Sequence, residues 1–322
     1  MGKKYDIVTA LDLCVDFLAD CGTTIPEFGQ KEKLVRDYNI ELGGSCSIFA
    51  AQTARLGLIT IGLGKTGDDF FGRLILNKLN NAHIDTSLIE IDKANKTGVG
   101  IALCHDNGDR AILTYIGTID TLVPEDIPAE TIGDTRHIHI GSYFLMKKLQ
   151  PGYPEILIKA KKAGATISLD TNWDPDEKWG NGINEILPFV DILLLNEREI
   201  MALTKTDSIL KAANALSDKI PVIAVKKGKS GALAFAGGRS YDADSLDIAA
   251  ADTVGAGDSF DGGFVYGYLT GCEIDVCLRI GCICGSYSTS KPGGIAGQID
   301  LKALESLLEG KKNAIGFIER NA

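Results

Sequence analysis

The sequence of 322 residues lacks the features that mark several large classes of protein. No apolar run approaches the roughly 20 residues that a membrane-spanning helix needs, and the first residues, MGKKYDIVTALDL, lack the long apolar core of a signal peptide. No basic run occurs, and the formal net charge is -10. Because neutralising phosphates takes clustered lysine and arginine, we expect neither nucleic acid nor a membrane as a partner, and we predict a small molecule instead.

Paired cysteines of the C-x-x-C type, which zinc and redox sites use, are also missing. The eight cysteines are spread along the chain, and the four histidines form no ligand pattern with them. We therefore predict reduced, mostly buried thiols and a cytoplasmic location, where thiols stay reduced.

Short β-rich runs alternate with helical patterns through most of the chain. Runs that are apolar on successive residues, which is typical of strands buried on both faces, are YDIVTAL, LITIGLG, HIHIG, TISLD, DILLLN and VIAVKKG. Between them, Leu, Ile and Ala recur at helical spacing in FFGRLILNKLNNA, GYPEILIKAKKAG, EREIMALT and ILKAANALSDK. This alternation predicts an α/β fold with repeated crossover units around a parallel sheet. No linker, internal repeat or low-complexity tract occurs, so we expect residues 1–322 to form a single domain.

Two regions break this rhythm. Residues 100–115 carry two β-type runs around Asn107-Gly108, a pair that favours a tight hairpin turn, so we expect antiparallel strands there. Residues 17–42 lack a helical stripe and indicate extended segments with turns. We predict that these regions, about 17–42 and 97–117, pair into a small β sheet that stands off the main sheet as a lid.

Three glycine patterns need an explanation first. Gly62, Gly64 and Gly67 fit the dinucleotide-binding pattern G-x-G-x-x-G, but Asp68 and Asp69 follow, where a pyrophosphate needs helix amides. GKT at 64–66 and GKS at 228–230 resemble the end of a P-loop, yet isoleucine stands where that motif needs its first glycine. We therefore regard none of the three as a nucleotide motif of those kinds.

The stretch ADTVGAGDSF, residues 251–260, is different. Gly255, Ala256 and Gly257 leave backbone amides unobstructed at the start of a helix that continues as SFDGGFVYGYL, which predicts an anion-binding nest. Asp258 falls in the first turn, beside that nest. Phosphoryl transfer to an alcohol requires donors for the transferred group and a base at the hydroxyl, and the helix amides favour an ionised carboxylate. The alternative is that Asp258 is only a favourable helix charge beside a turn.

DTVGAGDSF also resembles the C-terminal signature of the PfkB or ribokinase-like carbohydrate kinase family, D-T-x-G-A-G-D-x-F, at every specified position. GGSCSIFAAQTARLG at 43–57 and GKTGDDFFG at 64–72 are similar to its N-terminal signature. DTNW at 170–173, NERE at 196–199 and VKKGKSG at 225–231 follow in family order. The resemblance implies a ribokinase-like three-layer sandwich with a mainly parallel sheet and a β lid. It further implies ATP-dependent phosphorylation of an alcohol, with ATP and Mg²⁺ as cofactors and a homodimer through the lid.

The resemblance also implies roles for individual residues. Asp258 would be the general base, and Gly255, Ala256 and Gly257 the anion hole. The nucleotide side would comprise Asn196 and Glu199, which position magnesium-bound water and phosphates, together with Lys226, Gly228 and Gly231. Lys226 stands where many members have threonine. A solvated carboxylate at a helix start is the alternative for Glu199.

Further positions concern the substrate and a cation. Asp16 matches the family aspartate that binds substrate hydroxyls, with Gly43 and Gly44 allowing close approach of the substrate. Asp12 either shares that role or is a turn residue at a strand end. Asp252 matches a monovalent-cation position completed by a loop near KPGG, and dependence on K⁺ stays open.

Two departures from the family pattern leave the substrate open. Ile48 and Cys14 stand where many sugar kinases have asparagine, so fewer substrate hydroxyls or an apolar substrate group are expected there. The activity expected is phosphorylation of a sugar or sugar-derived alcohol. Alternatives are a nucleoside kinase of the same fold, a non-catalytic sugar-binding regulatory protein and, more remotely, a nicotinamide-dependent oxidoreductase.

Overall fold

A computed structural model of the chain describes residues 2–107 and 109–312. The strands, numbered in chain order, are β1 Tyr5–Ala10, β2 Cys14–Gly22, β3 Asp37–Gly43, β4 Thr60–Gly67, β5 Asp85–Asp92, β6 Gly98–His105, β7 Arg110–Tyr115, β8 Thr135–Ile140, β9 Thr166–Leu169, β10 Ile192–Asn196, β11 Val222–Lys226, β12 Ala232–Ala236 and β13 Arg239–Ala243. The α-helices are α1 Ser45–Arg55, α2 Phe70–Asn81, α3 Ala129–Gly133, α4 Tyr153–Lys162, α5 Ile183–Ile186, α6 Glu197–Thr204, α7 Ile209–Leu216, α8 Ala256–Leu269, α9 Ile274–Ser288 and α10 Leu301–Lys312.

The main sheet has nine strands in the order β13-β12-β11-β10-β9-β8-β1-β4-β5. Every neighbouring pair from β11 to β5 is parallel, and only β12 and β13 add antiparallel pairings at one edge. All six apolar runs of the sequence form strands of the parallel part. The prediction of a mainly parallel sheet is therefore confirmed.

Helices cover both faces of this sheet, which is why its strands are apolar on successive residues. In β10, Leu193 and Leu195 pack into the core that α4 and α7 close, while Ile192 and Leu194 face Phe260 and other residues of α8 and α9. The result is a three-layer sandwich, as expected. No helix among the described residues is long and apolar enough to cross a membrane.

Four strands form a second, smaller sheet in the order β3-β2-β6-β7, which we call the lid. β6 and β7 pair antiparallel, as predicted, although Gly108 of the expected turn lies outside the described residues. β2 pairs antiparallel with β3 and parallel with β6. The lid begins at Cys14, three residues before the predicted boundary, and contains both regions that break the helix–strand alternation.

The glycines of the G-x-G-x-x-G pattern lie within β4 rather than in a turn before a helix. A side chain at Gly62 or Gly64 would collide with Leu11 or Leu13, so these glycines admit the chain that crosses from β1 to the lid. The carboxylate of Asp69 caps α2 by accepting a hydrogen bond from the Gly72 amide at 2.8 Å. These contacts give the pattern a packing explanation.

Candidate active site

The turn at the start of α8 lies between the main sheet and the segment around residue 294. Gly255 caps the helix with φ of 72°, a conformation that favours glycine. A Cβ atom on it would lie 2.7 Å from Gly294 Cα and 3.0 Å from Ile48 Cδ1, so no larger residue fits. The first amides of a helix lack intrahelical acceptors and carry the positive end of its dipole. The turn of Gly255, Ala256 and Gly257 therefore suits an anion.

Asp258 lies in the first turn of α8, as the sequence predicts. Its carboxylate accepts a hydrogen bond from the Ser45 hydroxyl at the start of α1. Ser45 Oγ in turn accepts a hydrogen bond of 2.7 Å from Asn172 Nδ2, just beyond β9. Three elements that are distant in the sequence thus fix the orientation of one carboxylate.

The electrostatics of Asp258 differ from the expectation that helix amides favour its ionised form. Burial and the neighbouring Asp170 carboxylate raise its pKa, and they outweigh Lys226, Ser45 and Arg110, which act in the opposite direction. The expectation was wrong in sign because it counted only the local amides. The Asp170 carboxylate and the loss of solvent determine the direction in which the pKa of Asp258 shifts.

Asp12 lies between β1 and β2 and is buried. It accepts hydrogen bonds from the amides of Ser45 and Cys46, each at 2.9 Å, and from Ser142 Oγ at 2.5 Å. Burial raises its pKa to about 7, and the bond from Ser142 opposes that shift. These contacts anchor the start of α1 and favour the structural alternative for Asp12. Gly44, with φ of 87°, is required because a Cβ atom there would collide with Asp12.

Asp16 on β2 differs from Asp12 in its hydrogen bonding. Its carboxylate is pressed against Gly43 on β3 and Gly100 on β6, where a Cβ atom would lie 2.5 Å from Oδ1 in each case. No donor in the described part of the chain forms a hydrogen bond with this carboxylate. Burial, followed by the charge of Asp258, raises its pKa to about 6, and Arg110 of β7 opposes the shift. Its acceptor oxygens are therefore available to a ligand.

Asn196 and Glu199 form a reciprocal capping box at the junction of β10 and α6. Asn196 Oδ1 accepts from the Glu199 amide at 3.0 Å, and Glu199 Oε2 accepts from the Asn196 amide at 2.9 Å. Glu199 is only 6 % exposed, so it is not the solvated carboxylate of the alternative. Burial and then Asp170 raise its pKa to about 7.

Lys226 ends β11 directly beside Asn196 in the sheet. Its Nζ donates to Asp170 Oδ2 at 2.7 Å and to Asp261 Oδ2 and Oδ1 at 2.9 and 3.1 Å. These hydrogen bonds use the N–H donors of the ammonium, so few donors remain for a nucleotide. The turn after Lys226 contains Gly228 and Gly231, and a Cβ atom on Gly231 would collide with Ala243 O.

Asp252 joins two loops beside the turn of α8. Its carboxylate accepts from the Val254 amide at 3.0 Å and from the Gly293 amide at 2.9 Å. Asp252 and the KPGG segment, which the sequence connects with a cation, therefore lie together. The remaining lone pairs of these carboxylate oxygens suit a monovalent cation.

The two positions that depart from the family pattern are both buried. Ile48 is 2 % exposed and packs against Gly255 and Gly294, and Cys14 is 7 % exposed at the start of β2. Ile48 therefore supports the turn of α8 instead of presenting an apolar surface to the cleft. The expectation of an apolar substrate group gains nothing from this packing.

The sequence interpretation assigned no role to several residues that complete the site. These residues are Ser45, Arg110, Ser142, Asp170, Asn172 and Asp261. Ser142 and Asn172 both have positive φ, at 47° and 53°, and the Ser142 amide donates to Asn172 Oδ1 at 2.7 Å. Both follow the carboxyl ends of parallel strands, where such sheets place their ligands, and that position is the signal that could have identified them.

Comparison with known proteins agrees with this architecture. A family model described as pfkB family carbohydrate kinase matches residues 8–300. An ATP-dependent ribose-1-phosphate kinase of Halopiger xanaduensis is 31% identical over 264 residues, which cover 81% of this chain and 85% of the relative.

Solved structures share the fold at lower identity. Arabidopsis thaliana ribokinase complexed with ribose and ATP has a TM-score of 0.80 and 22% identity, covering 96% of this chain and 99% of its own. The nucleoside kinase of Methanocaldococcus jannaschii has a TM-score of 0.78 and 19% identity, covering 96% and 100%.

Proposed function

The chain belongs to the pfkB family of carbohydrate kinases and is a phosphotransferase with an alcohol group as acceptor, and we propose that it transfers the γ-phosphoryl group of ATP to a sugar or sugar-derived small molecule. Asp258 is the general base, and the turn of Gly255, Ala256 and Gly257 is the anion hole. The observation that carries this proposal is the partly exposed Asp258 carboxylate in the first turn of α8. It lies beside the amides of Gly255 and Gly257, which have no acceptor among the described residues, and that of Ala256, which donates only a long bond of 3.4 Å to Thr253 O.

In the proposed reaction, Asp258 accepts the proton of the substrate hydroxyl as its oxygen bonds to the γ-phosphorus. The bond from that phosphorus to the bridging oxygen breaks, and ADP leaves. The amides at residues 255–257 donate hydrogen bonds to the transferring phosphoryl oxygens, whose charge they stabilise. Ser45 holds the base in the required direction.

The nucleotide side of the proposed site is the carboxyl edge formed by β10 and β11. Asn196 and Glu199 fit a role in orienting water on a magnesium ion, because Glu199 is a buried carboxylate whose second oxygen accepts no hydrogen bond from the described residues. A magnesium ion held there through water would neutralise charge on the nucleotide phosphates. Gly228 and Gly231 shape the turn that we assign to the nucleotide. We assign Asp252 to K⁺ and regard dependence on K⁺ as open to test.

The substrate side is the lid, with Asp16 as the hydroxyl acceptor and Gly43 as the residue that lets its carboxylate reach the cleft. An ionised carboxylate can accept hydrogen bonds from two hydroxyls, which suits a polyol. Asp12 and Gly44 support this region by holding α1. Closure of the lid would exclude water and so limit wasteful hydrolysis of ATP.

A homodimer through the lid is part of the proposal. Edge strand β7 is exposed along its length, and Ile112, Leu113 and Tyr115 are 56%, 63% and 52% exposed. Light scattering should give twice the chain mass for the wild type and a single mass for Leu113→Glu. A monomeric wild type would contradict this assignment. A cytoplasmic location stays a prediction from the sequence.

A nucleoside kinase is the second candidate, since a structure of that activity shares the fold. A non-catalytic sugar-binding protein is the third. The complete constellation of Asp258, its Ser45 partner and the glycine turn favours an active enzyme.

The test is ADP formation with Mg²⁺ and K⁺ across pentoses, hexoses, sugar acids, sugar phosphates and nucleosides, with Asp258→Asn in parallel. We expect turnover with one sugar class and a loss of about 10²–10⁴-fold in the variant. Turnover only with nucleosides would support the second candidate. Binding of a sugar without ADP formation would support the third.

A further inference from the structure

A buried ion cluster lies beneath the turn of α8. The Lys226 ammonium is bound by Asp170 from the end of β9 and by Asp261 from α8, at 2.7 and 2.9 Å. The side chains are 11%, 4% and 1% exposed, respectively. Ionisable side chains removed from water need such partners, because an unpaired buried ion is strongly unfavourable.

The charges of this cluster are balanced internally. Burial alone would raise the pKa of Asp170, but Lys226 and several hydrogen bonds outweigh it and lower that pKa. Burial raises the pKa of Asp261 well above its usual range, and Lys226 only partly opposes this. Of the two acids, Asp261 is therefore the one that more readily holds a proton beside the ammonium.

The cluster adjoins the base. Carboxylate oxygens of Asp170, Asp258 and Asp261 lie within 4.8 Å of one another. A Cβ atom on Gly257 of the anion hole would lie 3.5 Å from Lys226 Nζ. The ammonium is thus the fixed cation at a point where three acidic side chains converge.

We propose that Lys226 is a positioning residue for phosphoryl transfer: its buried ammonium, held by Asp170 and Asp261 under the anion-hole turn, keeps Asp258 in the ionised form that accepts the substrate proton. This inference rests on the proposed function of Asp258. It assigns Lys226 a role through the base, in place of the contact with the nucleotide that the sequence suggested.

Other charged groups surround Asp258, and their effects on its pKa must be separated from the effect of Lys226. The titratable or charged groups around it are Asp12, Asp16, Cys46, Arg110, Asp170, Glu199 and Asp261. Asp16 and Glu199 have pKa values of about 6 and 7, which overlap the expected range of the base. Measuring kcat with both substrates saturating reports the ternary complex, so the titration of Asp16 in the free enzyme does not contribute.

The experiment compares kcat against pH for the wild type, Lys226→Met, Lys226→Arg and Asp261→Asn. Loss of the ammonium should move the acid limb of the profile upward by about one pH unit. Lys226→Arg should restore the limb close to that of the wild type. Asp261→Asn should leave the limb in place, because the pair of Lys226 and Asp170 stays neutral. The asparagine oxygen can still accept one of the two hydrogen bonds that Lys226 donates to Asp261.

Lys226→Met leaves two buried acids without a cation, so a double variant guards against misfolding. Lys226→Met with Asp261→Asn should show the same upward shift as Lys226→Met, since the shift follows the ammonium. A normal acid limb in both variants, with a raised KM for ATP, would overturn the inference and make Lys226 a nucleotide ligand. Equal shifts in Asp261→Asn and Lys226→Met would also overturn it, because they would indicate a merely structural role.

A second measurement does not depend on turnover. NMR titration of the isotope-labelled Asp258 carboxyl, assigned by its absence in Asp258→Asn, gives the pKa of this group directly. A higher pKa in the folded Lys226 variants than in the wild type supports the inference even if no substrate is phosphorylated. An unchanged pKa contradicts it even if the protein is a kinase.

Discussion

The buried carboxylates on the two sides of the candidate site differ in their hydrogen-bond partners. On the lid side, Asp16 is enclosed by glycines and has no hydrogen-bond donor in the part of the chain that the structure describes. On the sheet side, Asp170 and Asp261 both accept hydrogen bonds from the Lys226 ammonium. The unpaired carboxylate is costly to the free protein, which is expected where a ligand supplies the missing partners. The paired ones create a fixed field and need no ligand.

Asp258 lies between these two sides. It is held by Ser45 and Asn172, yet burial and Asp170 raise its pKa. In the proposed mechanism, a base with this environment depends on the cation beneath it. Under the proposed function, the lid side recognises the substrate and the sheet side supplies preorganised electrostatics. The following changes test that separation.

The largest expected effect is on the stability of the sheet side. Lys226→Met should lower the free energy of unfolding by about 3–5 kcal/mol, because it leaves buried acids without their partner. Lys211→Met is the matched control, since Lys211 pairs with Asp207 on the surface, where both are more than half exposed. Urea denaturation at neutral pH measures both. Equal losses would show that the cluster is not a closed unit.

Next in size is the effect of disturbing the proposed anion hole. In Gly255→Ala, an alanine must adopt the positive φ of this position, and its Cβ atom collides with Gly294. We therefore expect kcat to fall by about 10²-fold. Gly271→Ala controls for the backbone strain, because φ there is 78° and nothing lies within 4 Å of the added atom. Initial rates of the two variants give the comparison. A similar kcat in both would mean that the fit of the turn is unimportant to transfer.

Asp16→Asn tests recognition by the lid. Loss of two charge-assisted hydrogen bonds should raise the KM for the alcohol by about 10²-fold, while the KM for ATP stays the same. Steady-state kinetics with each substrate varied in turn separates the two constants. An unchanged KM for the alcohol would remove Asp16 from the substrate site.

The smallest expected effect is a gain in stability from the same change. The pKa of Asp16 is about 6 in the folded chain against 3.8 ordinarily, so between these values the folded state retains a proton that the unfolded state has released. Stability of the wild type therefore falls as pH rises through this window. Asp16→Asn should match the wild type below pH ~4 and exceed it by on the order of 2 kcal/mol above pH ~7. Thermal unfolding of both proteins at both pH values measures this difference. If Asp16→Asn were less stable than the wild type at the higher pH, the Asp16 carboxylate could not be unpaired in the folded chain.

The sequence predicted much of the fold and one part of the site. Runs such as DILLLN indicated doubly buried strands, and the glycines before Asp258 indicated the start of a helix. Both signals are local. The lid was also predictable, because its two segments lack a helical stripe.

The partners of Asp258 were not predictable in the same way. Ser45, Asn172 and Lys226 come from α1, the end of β9 and β11, and only the order of strands in the sheet brings them together. The pKa of Asp258 was predicted in the wrong direction because burial and Asp170 are tertiary effects. The family resemblance suggests a nucleotide role for Lys226, and its two acidic partners could not be predicted because they are distant in the sequence.

The most direct test of the central claim, that Asp258 accepts the proton of an alcohol during transfer from ATP, is a phosphorus NMR time course. ATP and the substrate found in the panel are incubated with wild type or with folded Asp258→Asn, and the phosphorylated product is followed. We predict product from the wild type and a rate lower by about 10²–10⁴-fold in the variant. Product formation by Asp258→Asn at the wild-type rate would contradict the account.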